Sequence, residues 1–183
     1  MPSTTQSADD GPPLEQSDAT HTADADDLLV AADSAETPQL SVVMPTLNEE
    51  AGIQICLSWI KTAIEELQVP SEIIISDSST DRTPEIAREM GAIVVEPDTE
   101  GYGAAYRYAF EQARGSYIAM GDADTTYDFK QIPRLLRQLE TTGADMVMGS
   151  RLAGEIKDGA MPPLHQHIGN PLLTRLLNAF YSA

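Results

Sequence analysis

The sequence predicts an α/β fold in which a mostly parallel sheet is covered by helices on both faces. Three observations support this prediction: short apolar runs recur along the chain, amphipathic helical patterns separate them, and glycine or proline marks most boundaries. Short buried strands that alternate with helices are typical of βαβ units, in which neighbouring strands run parallel.

The first predicted strand covers residues 40–44, an apolar run that ends at Pro45. Continuous apolar runs of this kind are expected of strands that are buried on both faces of a parallel sheet. The other predicted strands are residues 72–76, 92–95, 117–120 and 145–148.

The helices are predicted from apolar periodicity and from their boundary residues. Residues 49–67 carry apolar side chains at the spacing of one helical face. Thr83 and Pro84 supply a cap and a first-turn proline for the next helix, which ends at Gly91. The remaining predicted helices are residues 104–113, 132–139 and 170–182.

The chain is strongly acidic, with 29 Asp and Glu against 11 Lys and Arg and a formal net charge of −18. This charge argues against nucleic acid as a partner, because neutralising phosphates requires a basic face. An acidic surface on an ordinary apolar pattern favours adaptation to high salt, where ions screen the repulsion. An ordinary acidic cytosolic protein is the alternative interpretation.

Residues 1–38 are predicted to be a disordered acidic tail, and residues 39–183 to be the folded domain. Residues 1–39 contain nine Asp or Glu and no Lys or Arg, and they are rich in Ser, Thr, Ala and Pro. So little apolar surface cannot offset the entropy lost on folding. Leu28, Leu29 and Val30 form a short apolar run that is too small to fold alone.

The sequence contains no candidate membrane span, since no run approaches the roughly 18 apolar residues required, and no signal-peptide pattern. Its single cysteine, Cys56, excludes an internal disulfide framework. These features predict a cytoplasmic protein.

The segment after the fourth predicted strand carries the most informative motif. Asp122 and Asp124 follow Gly121 and are separated by one residue. In an extended chain the side chains at i and i+2 point the same way, so both carboxylates can converge on one cation. Mg²⁺ or Mn²⁺ prefers such oxygen ligands and would bridge to a diphosphate. Taken alone, the Asp-x-Asp pattern is equally typical of a metal site and of a solvated acidic turn that closes a strand.

The other strand ends are polar as well. Ligands of doubly wound sheets bind where the carboxyl ends of the strands open, so we expect these polar groups to converge at one edge. They lie in residues 45–50, 76–81, 122–124 and 149–151. Neither a Gly-x-Gly-x-x-Gly motif nor a Walker lysine follows the first strand, which excludes the usual dinucleotide and P-loop sites.

Five motifs occur in order along the chain: Val-Met-Pro-Thr-Leu-Asn-Glu at 43–49, Ser-Asp-Ser-Ser-Thr-Asp at 76–81, Gly-Tyr-Gly-Ala at 101–104, Asp-Ala-Asp-Thr-Thr-Tyr-Asp at 122–128 and Gly-Ser-Arg at 149–151. This series resembles family-2 glycosyltransferases of the nucleotide-sugar-binding GT-A fold, a three-layer α/β/α architecture. The branch it resembles most is that of the dolichyl-phosphate mannosyltransferases and glucosyltransferases. The resemblance runs from about Leu40 to the end of the chain.

The resemblance implies a site for a nucleotide-diphosphate sugar and a divalent cation, Mg²⁺ or Mn²⁺. It assigns the metal to Asp122 and Asp124, with Ala123 packing beside it, and the phosphates to Arg151. Asp122, Asp124 and Arg151 would therefore support catalysis. The residues implied to line the nucleotide base and ribose are Pro45, Leu47, Glu49, Ile75 and Asp77.

The sequence departs from that branch at three places. Leu47 stands where the family usually has an aromatic residue, which removes an argument from base stacking. Thr126 stands where the mannosyltransferases often carry a glutamine that helps to bind the metal. The chain also ends before the Ser-Asp…Gly-x-Arg segment usual in the branch. We therefore expect the domain to be truncated at its C-terminus, to bind the donor and to transfer sugar poorly.

The implied reaction transfers a hexose to a polyprenyl (dolichyl) phosphate with inversion, in glycan or glycoprotein assembly, at the inner face of the cell membrane. The apolar stripe of residues 170–182 could contact that membrane, although such stripes more often pack on a protein's own core. A transferase acting on a hydroxyl acceptor in polysaccharide synthesis and a non-catalytic nucleotide-sugar-binding fragment are the alternatives. A receiver-like signalling domain fits less well. The acids of such a domain cluster after strands one and three, whereas the acid pair of this chain follows the fourth predicted strand.

The net charge of −18 leads to a prediction about salt. The melting temperature should rise as KCl is increased from dilute buffer toward molar concentration, because added ions screen the repulsion among the carboxylates. Thermal melts across a KCl series measure this effect. A melting temperature that stays flat or falls across the series would remove the support for adaptation to high salt.

Overall fold

The computed structural model describes residues 22–150 and 169–181, with the side chains of residues 170 and 181 excepted. The chain divides into two units, Met1–Asp145 and Met146–Ala183. The first contains a four-stranded parallel sheet in the order β3-β2-β1-β4. Its strands are β1 (Leu40–Thr46), β2 (Ser71–Asp77), β3 (Ile93–Val95) and β4 (Tyr117–Met120).

The helices of the first unit are α1 (Ala25–Leu28), α2 (Ile53–Leu67), α3 (Thr83–Glu89), α4 (Tyr102–Gln112), a short 3₁₀ helix (Phe129–Gln131) and α5 (Ile132–Thr142). Gln68 and Gly143 adopt the left-handed conformation after α2 and α5, and their N–H groups donate to Ile64 and Leu139. These bonds satisfy carbonyls that would otherwise lack a partner at the helix ends.

The two faces of the sheet are covered by different helices. Val42 of β1 lies beside Ile73 of β2, and both are buried in a core with residues of α2, α3 and α5. Val43 and Ile74 point to the opposite face and pack against Tyr106 of α4. This alternation follows from the two-residue period of a strand. The three-layer architecture predicted from the sequence is therefore present.

Pro45 lies inside β1, although the sequence predicted that the strand would end there. It pairs in register with Ser76 of β2. The pairing with β4 ends at Val43, whose carbonyl accepts a hydrogen bond from the Gly121 N–H. The backbone of Pro45 is directed toward β4, as that of Val43 is, but Pro45 lies beyond the last residue pair between β1 and β4. The N–H that proline lacks would therefore have no partner in β4.

The predicted strand at residues 145–148 does not form. These residues have no strand conformation, and the side chains of Met146 and Met148 are exposed. An apolar run this short needs a hydrogen-bonded neighbour to become a strand, and the described part of the chain does not supply one.

The prediction of a disordered tail over residues 1–38 is wrong for residues 22–38. Ala25 and Val30 are buried, and the Val30 N–H donates to the Ser71 carbonyl at 2.8 Å. The Gln68 side chain both accepts from and donates to the main chain of Ala23, at 2.8 and 3.0 Å. Contacts with residues that are distant in sequence order this segment. Residues 1–21 lie outside the described part of the chain.

A buried ion pair also ties this segment to the sheet. The Glu72 side chain is fully buried in β2, and it accepts hydrogen bonds from Ser41 Oγ at 2.6 Å and from Arg114 Nε at 3.0 Å. The remaining guanidinium nitrogens of Arg114 donate to the carbonyls of Ser34 and Ala31, at 3.1 and 2.9 Å. The buried carboxylate is thus fully partnered, as its burial requires.

In the second unit, α6 (Asn170–Tyr181) is an amphipathic helix. Its large apolar side chains are exposed, namely Leu172, Leu173, Leu176, Leu177 and Phe180. Among the described residues, no helix is both long enough and apolar enough to cross a membrane.

Removing the Arg114 side chain is expected to destabilise the fold. Arg114→Ala leaves the buried Glu72 carboxylate without its charged partner and should lower the free energy of unfolding by about 3 kcal/mol. Arg137→Ala is the matched control, since Arg137 pairs with Glu66 at the surface at 3.3 Å. It should cost less than about 1 kcal/mol. Urea unfolding measures both, and equal effects would contradict a special role for Arg114.

Candidate functional site

The loops that follow β1 and β2 are joined by hydrogen bonds at the carboxyl edge of the sheet. The Asn48 N–H donates to Ser79 Oγ at 2.8 Å, and the Glu49 N–H donates to Thr83 Oγ1 at 2.9 Å. In return, the Thr80 N–H donates to Asn48 Oδ1 at 2.9 Å. Asn48 has a φ of 58°, a conformation that asparagine tolerates better than most residues. The two loops, residues 46–50 and 77–83, therefore form one ordered rim.

Asp77 lies at the base of this rim and is only 7% exposed. Its Oδ1 accepts hydrogen bonds from Thr46 Oγ1 and Ser79 Oγ, both at 2.6 Å, and its Oδ2 accepts one from the Ser79 N–H at 3.1 Å. Each carboxylate oxygen can accept about two hydrogen bonds. Asp77 therefore orders the loops and keeps acceptor capacity on Oδ2 for one further donor.

Asp122 follows β4 and is held by two tyrosines of α4. Its Oδ1 accepts hydrogen bonds from the hydroxyl of Tyr102 at 2.8 Å and from the hydroxyl of Tyr106 at 3.1 Å. The Tyr106 hydroxyl is also 2.9 Å from the Gly121 carbonyl oxygen. Desolvation by burial raises the pKa of both phenols above its ordinary value, so they remain protonated donors. The Asp122 Oδ2 accepts no hydrogen bond from the described residues.

The two tyrosines were not identified from the sequence. A usable signal was present, because Tyr102 and Tyr106 are four residues apart in a helix that begins at the carboxyl edge of the sheet. Residues at this spacing lie on one helical face. The sequence does not show that this face meets the loop after β4, which depends on how α4 packs.

Asp124 is exposed, whereas Ala123 between the two aspartates is buried in the core. The Thr126 N–H donates to Asp124 Oδ1 at 2.9 Å, and Asp124 Oδ2 accepts no hydrogen bond from the described residues. Thr125 has a φ of 62°, which is unusual for a β-branched residue. The buried Ala123 and the turn at Thr125 together fix the position of Asp124.

Glu49 brings a third carboxylate close to this pair. Its pKa is raised, first by desolvation and then by the negative charges of Asp124, Asp122 and Asp81. Among the described residues, none of Glu49, Asp122 and Asp124 has an ion-pair partner. The repulsion means that a cation at this edge would be bound favourably.

The described residues contain no cluster of three or more side chains that could hold a metal ion by themselves. Mg²⁺ is commonly bound through one or two carboxylates together with waters and substrate phosphates. Asp122 and Asp124 each offer one oxygen without a hydrogen bond from the described residues. They fit this mode of binding, in which a diphosphate completes the coordination.

The other predicted site residues are placed differently. Leu47 is 63% exposed on the rim, and Pro45 lies partly buried below it. Ile75 is fully buried in the core, so any contact from it to a nucleotide would have to come from its main-chain atoms. Arg151 lies outside the described residues, and its role stays a prediction.

Comparison with known proteins gives the family. The model of glycosyl transferase family 2 matches residues 41–182. The chain belongs to glycosyl transferase family 2. This membership, together with the parallel three-layer architecture, confirms the GT-A fold class predicted from the motifs.

Several relatives come from Haloferax volcanii, which agrees with the adaptation to high salt that the acidic composition favours. The low-salt glycan biosynthesis hexosyltransferase Agl6 is 64% identical over 158 residues, which cover 86% of this chain and 38% of the relative. A dolichyl-phosphate hexose transferase is 35% identical over 144 residues, which cover 79% of this chain and 60% of the relative. The chain therefore spans only part of the length of both relatives.

Similarity to solved structures is lower. Glucosyl-3-phosphoglycerate synthase from Mycobacterium tuberculosis, solved with Mn²⁺, UDP-glucose and glycerol 3-phosphate, gives a TM-score of 0.49 at 29% identity. The match covers 56% of this chain and 40% of that one.

The N-terminus of α2 packs directly on the loop that carries the two aspartates. A Cβ atom at Gly52 would lie 2.4 Å from the Ala123 carbonyl oxygen and 3.6 Å from Thr125 Cγ2. Only glycine allows the helix and the main chain of this loop to approach so closely. Gly52 is therefore a structural requirement of the site that sequence analysis did not identify.

Gly52→Ala is expected to displace this loop, because the added methyl group meets main-chain atoms that cannot rotate away. The free energy of unfolding should fall by about 1–3 kcal/mol. The matched control is Gly103→Ala in α4, where a Cβ atom would have no neighbour within 4 Å among the described residues. Substitution at such a position should be neutral or stabilising by up to about 1 kcal/mol. Urea unfolding compares the two, and a Gly52→Ala protein as stable as the control would contradict the close packing.

Proposed function

We propose that this chain forms the donor-binding part of an inverting hexosyltransferase. The enzyme would move a hexose from a nucleotide-diphosphate sugar to a polyprenyl (dolichyl-type) phosphate in glycan assembly. The observation that carries the proposal is the arrangement of Asp122 and Asp124 at the carboxyl edge of the sheet, next to the ordered rim of residues 46–50 and 77–83. The similarity to a glycan biosynthesis hexosyltransferase and to a dolichyl-phosphate hexose transferase supports this substrate class.

In this proposal the rim binds the nucleoside and the two aspartates face the diphosphate. Asp77 has acceptor capacity left on Oδ2, which suits a ribose hydroxyl. Leu47 offers an exposed apolar side chain to the base. Because the rim is ordered by its own hydrogen bonds, little conformational entropy is lost when the nucleotide binds.

Asp122 and Asp124 would bind Mg²⁺ or Mn²⁺ through their available oxygens. The metal would supply a positive charge that neutralises the diphosphate as it leaves the sugar. Desolvation, and after it the negative charges of Asp124 and Asp122, raise the pKa of Glu49, and the cation would compensate those two charges. Arg151 is proposed to contribute charge-assisted hydrogen bonds to the phosphates.

A lipid phosphate is the proposed acceptor for a chemical reason as well. A phosphate monoester with a second pKa of about 6 is mostly a dianion near neutral pH. It can attack the anomeric carbon directly in one displacement, which inverts the configuration, and it needs no strong general base. Since the acceptor is a lipid, we propose that the protein works at the cytoplasmic face of the membrane.

A transfer assay tests this proposal. The full-length protein, expressed from its complete coding sequence, is incubated with Mn²⁺, UDP- or GDP-hexoses and either polyprenyl phosphate or a free sugar acceptor, and the products are analysed by mass spectrometry. We expect the lipid phosphate to gain one hexose. Asp124→Ala should lower the rate about 100-fold or more, because it removes charge stabilisation of the leaving group.

Asp27→Ala is the matched control, since it removes one exposed carboxylate from α1 and should leave the rate unchanged. Transfer to the free sugar alone would favour the hydroxyl-acceptor alternative. Nucleotide binding by the full-length protein without transfer to either acceptor would favour a non-catalytic binder. Transfer that is insensitive to both Asp124→Ala and EDTA would rule out the metal assignment.

A further inference from the structure

We propose that Tyr102 and Tyr106 are positioning residues that hold Oδ1 of Asp122 and so direct its Oδ2 toward the metal and the donor diphosphate. The inference rests on the proposed function, in which Asp122 is a metal ligand. The inference extends the proposed function by assigning a role to two α4 side chains outside the acidic motif. The geometric basis is the contact of both hydroxyls with the same carboxylate oxygen, at 2.8 and 3.1 Å.

Tyr106 fixes the end of β4 from within the core. It is only 6% exposed, and it packs with Val43, Ile74 and Ala109 in the core between α4 and the sheet. Its hydroxyl lies within hydrogen-bonding distance of both the Gly121 carbonyl and Asp122 Oδ1, but a phenol has a single hydrogen to donate. Whichever acceptor it serves, a side chain anchored in the core determines where the Gly121–Asp122 peptide lies.

Tyr102 acts from the solvent side. Its side chain is 63% exposed, and its ring meets the Tyr106 ring edge to face, with the centroids 5.1 Å apart. Within the described structure its hydroxyl donates to Asp122 Oδ1 at 2.8 Å. An exposed aromatic ring held beside a carboxylate by its hydroxyl contributes more to the orientation of that carboxylate than to the core.

The hydroxyls of Tyr102 and Tyr106 both lie within hydrogen-bonding distance of Oδ1, which restricts how Asp122 can bind a cation. Rotation of the carboxylate would break the bond from Tyr102 and move Oδ1 away from the Tyr106 hydroxyl, and among the described residues Oδ2 is left as the oxygen available to a metal. Hydrogen-bonded partners of metal ligands commonly change metal affinity by about 10–100-fold. We therefore expect a measurable loss of affinity when either hydroxyl is removed and the ring is kept.

The test measures Mn²⁺ affinity by electron paramagnetic resonance in the full chain, with UDP or GDP at saturation, and the melting temperature without metal. Tyr102→Phe and Tyr106→Phe should each weaken Mn²⁺ binding about tenfold. Tyr108→Phe is the matched control on the same helix, and it should change the affinity by less than about twofold. Since the Tyr102 ring is exposed, Tyr102→Phe should leave the melting temperature unchanged, which separates positioning from folding.

The outcomes distinguish this inference from the proposed function. If the unaltered protein binds Mn²⁺ with nucleotide, Asp122→Asn does not, and both tyrosine variants bind as the unaltered protein does, the positioning role is overturned and the function stands. An equal loss in Tyr108→Phe would also overturn it. If the unaltered protein binds no Mn²⁺ in the presence of either nucleotide, the proposed function fails and the inference fails with it.

Discussion

The parallel pairing of β1 with β2 on one side and β4 on the other is the constraint on which the rest of this structure depends. It brings Thr46 beside Asp77 and ends the β4 ladder at Val43 and Met120. The segments that follow the three strands therefore emerge at one edge. Loops far apart in the sequence become neighbours there, and their polar groups can bond to each other or to a ligand.

The two ends of the sheet use carboxylates in opposite ways. Toward its amino end, the Glu72 carboxylate is fully buried, paired with Arg114 and bonded to Ser41, so its charge is compensated and the contact stabilises the fold. At the carboxyl end, Glu49, Asp122 and Asp124 have no ion-pair partner among the described residues and repel one another. Such repulsion lowers stability, and it is tolerated where a cation can bind.

The acidic edge is held in place by geometry that is unfavourable by itself. Asn48 and Thr125 both have positive φ angles, and both lie in loops that bear acidic residues. Hydrogen bonds between the β1 and β2 loops, the burial of Ala123 and the contact of Gly52 with the Ala123 carbonyl offset this local strain. The result is an edge whose carboxylates are ordered before any ligand binds, which favours binding of a diphosphate with a metal.

The sequence by itself determined the fold class, the four strands of the sheet and the acidic motif, because these depend on local signals. The apolar period of a strand or helix, the boundary residues Pro84 and Gly143, and the i, i+2 spacing of Asp122 and Asp124 can be read from neighbouring residues. The family followed from the order of these motifs along the chain.

Tertiary structure alone decided the features that depend on contacts between distant residues. It ordered residues 22–38 on Gln68 and Ser71, and it brought Tyr102 and Tyr106 to Asp122. It also left residues 145–148 without strand structure, although three of these four residues are apolar. A strand, a packed segment or a hydrogen-bonded carboxylate exists only when its partner is present, and the partner's position is set by the packing of the whole sheet.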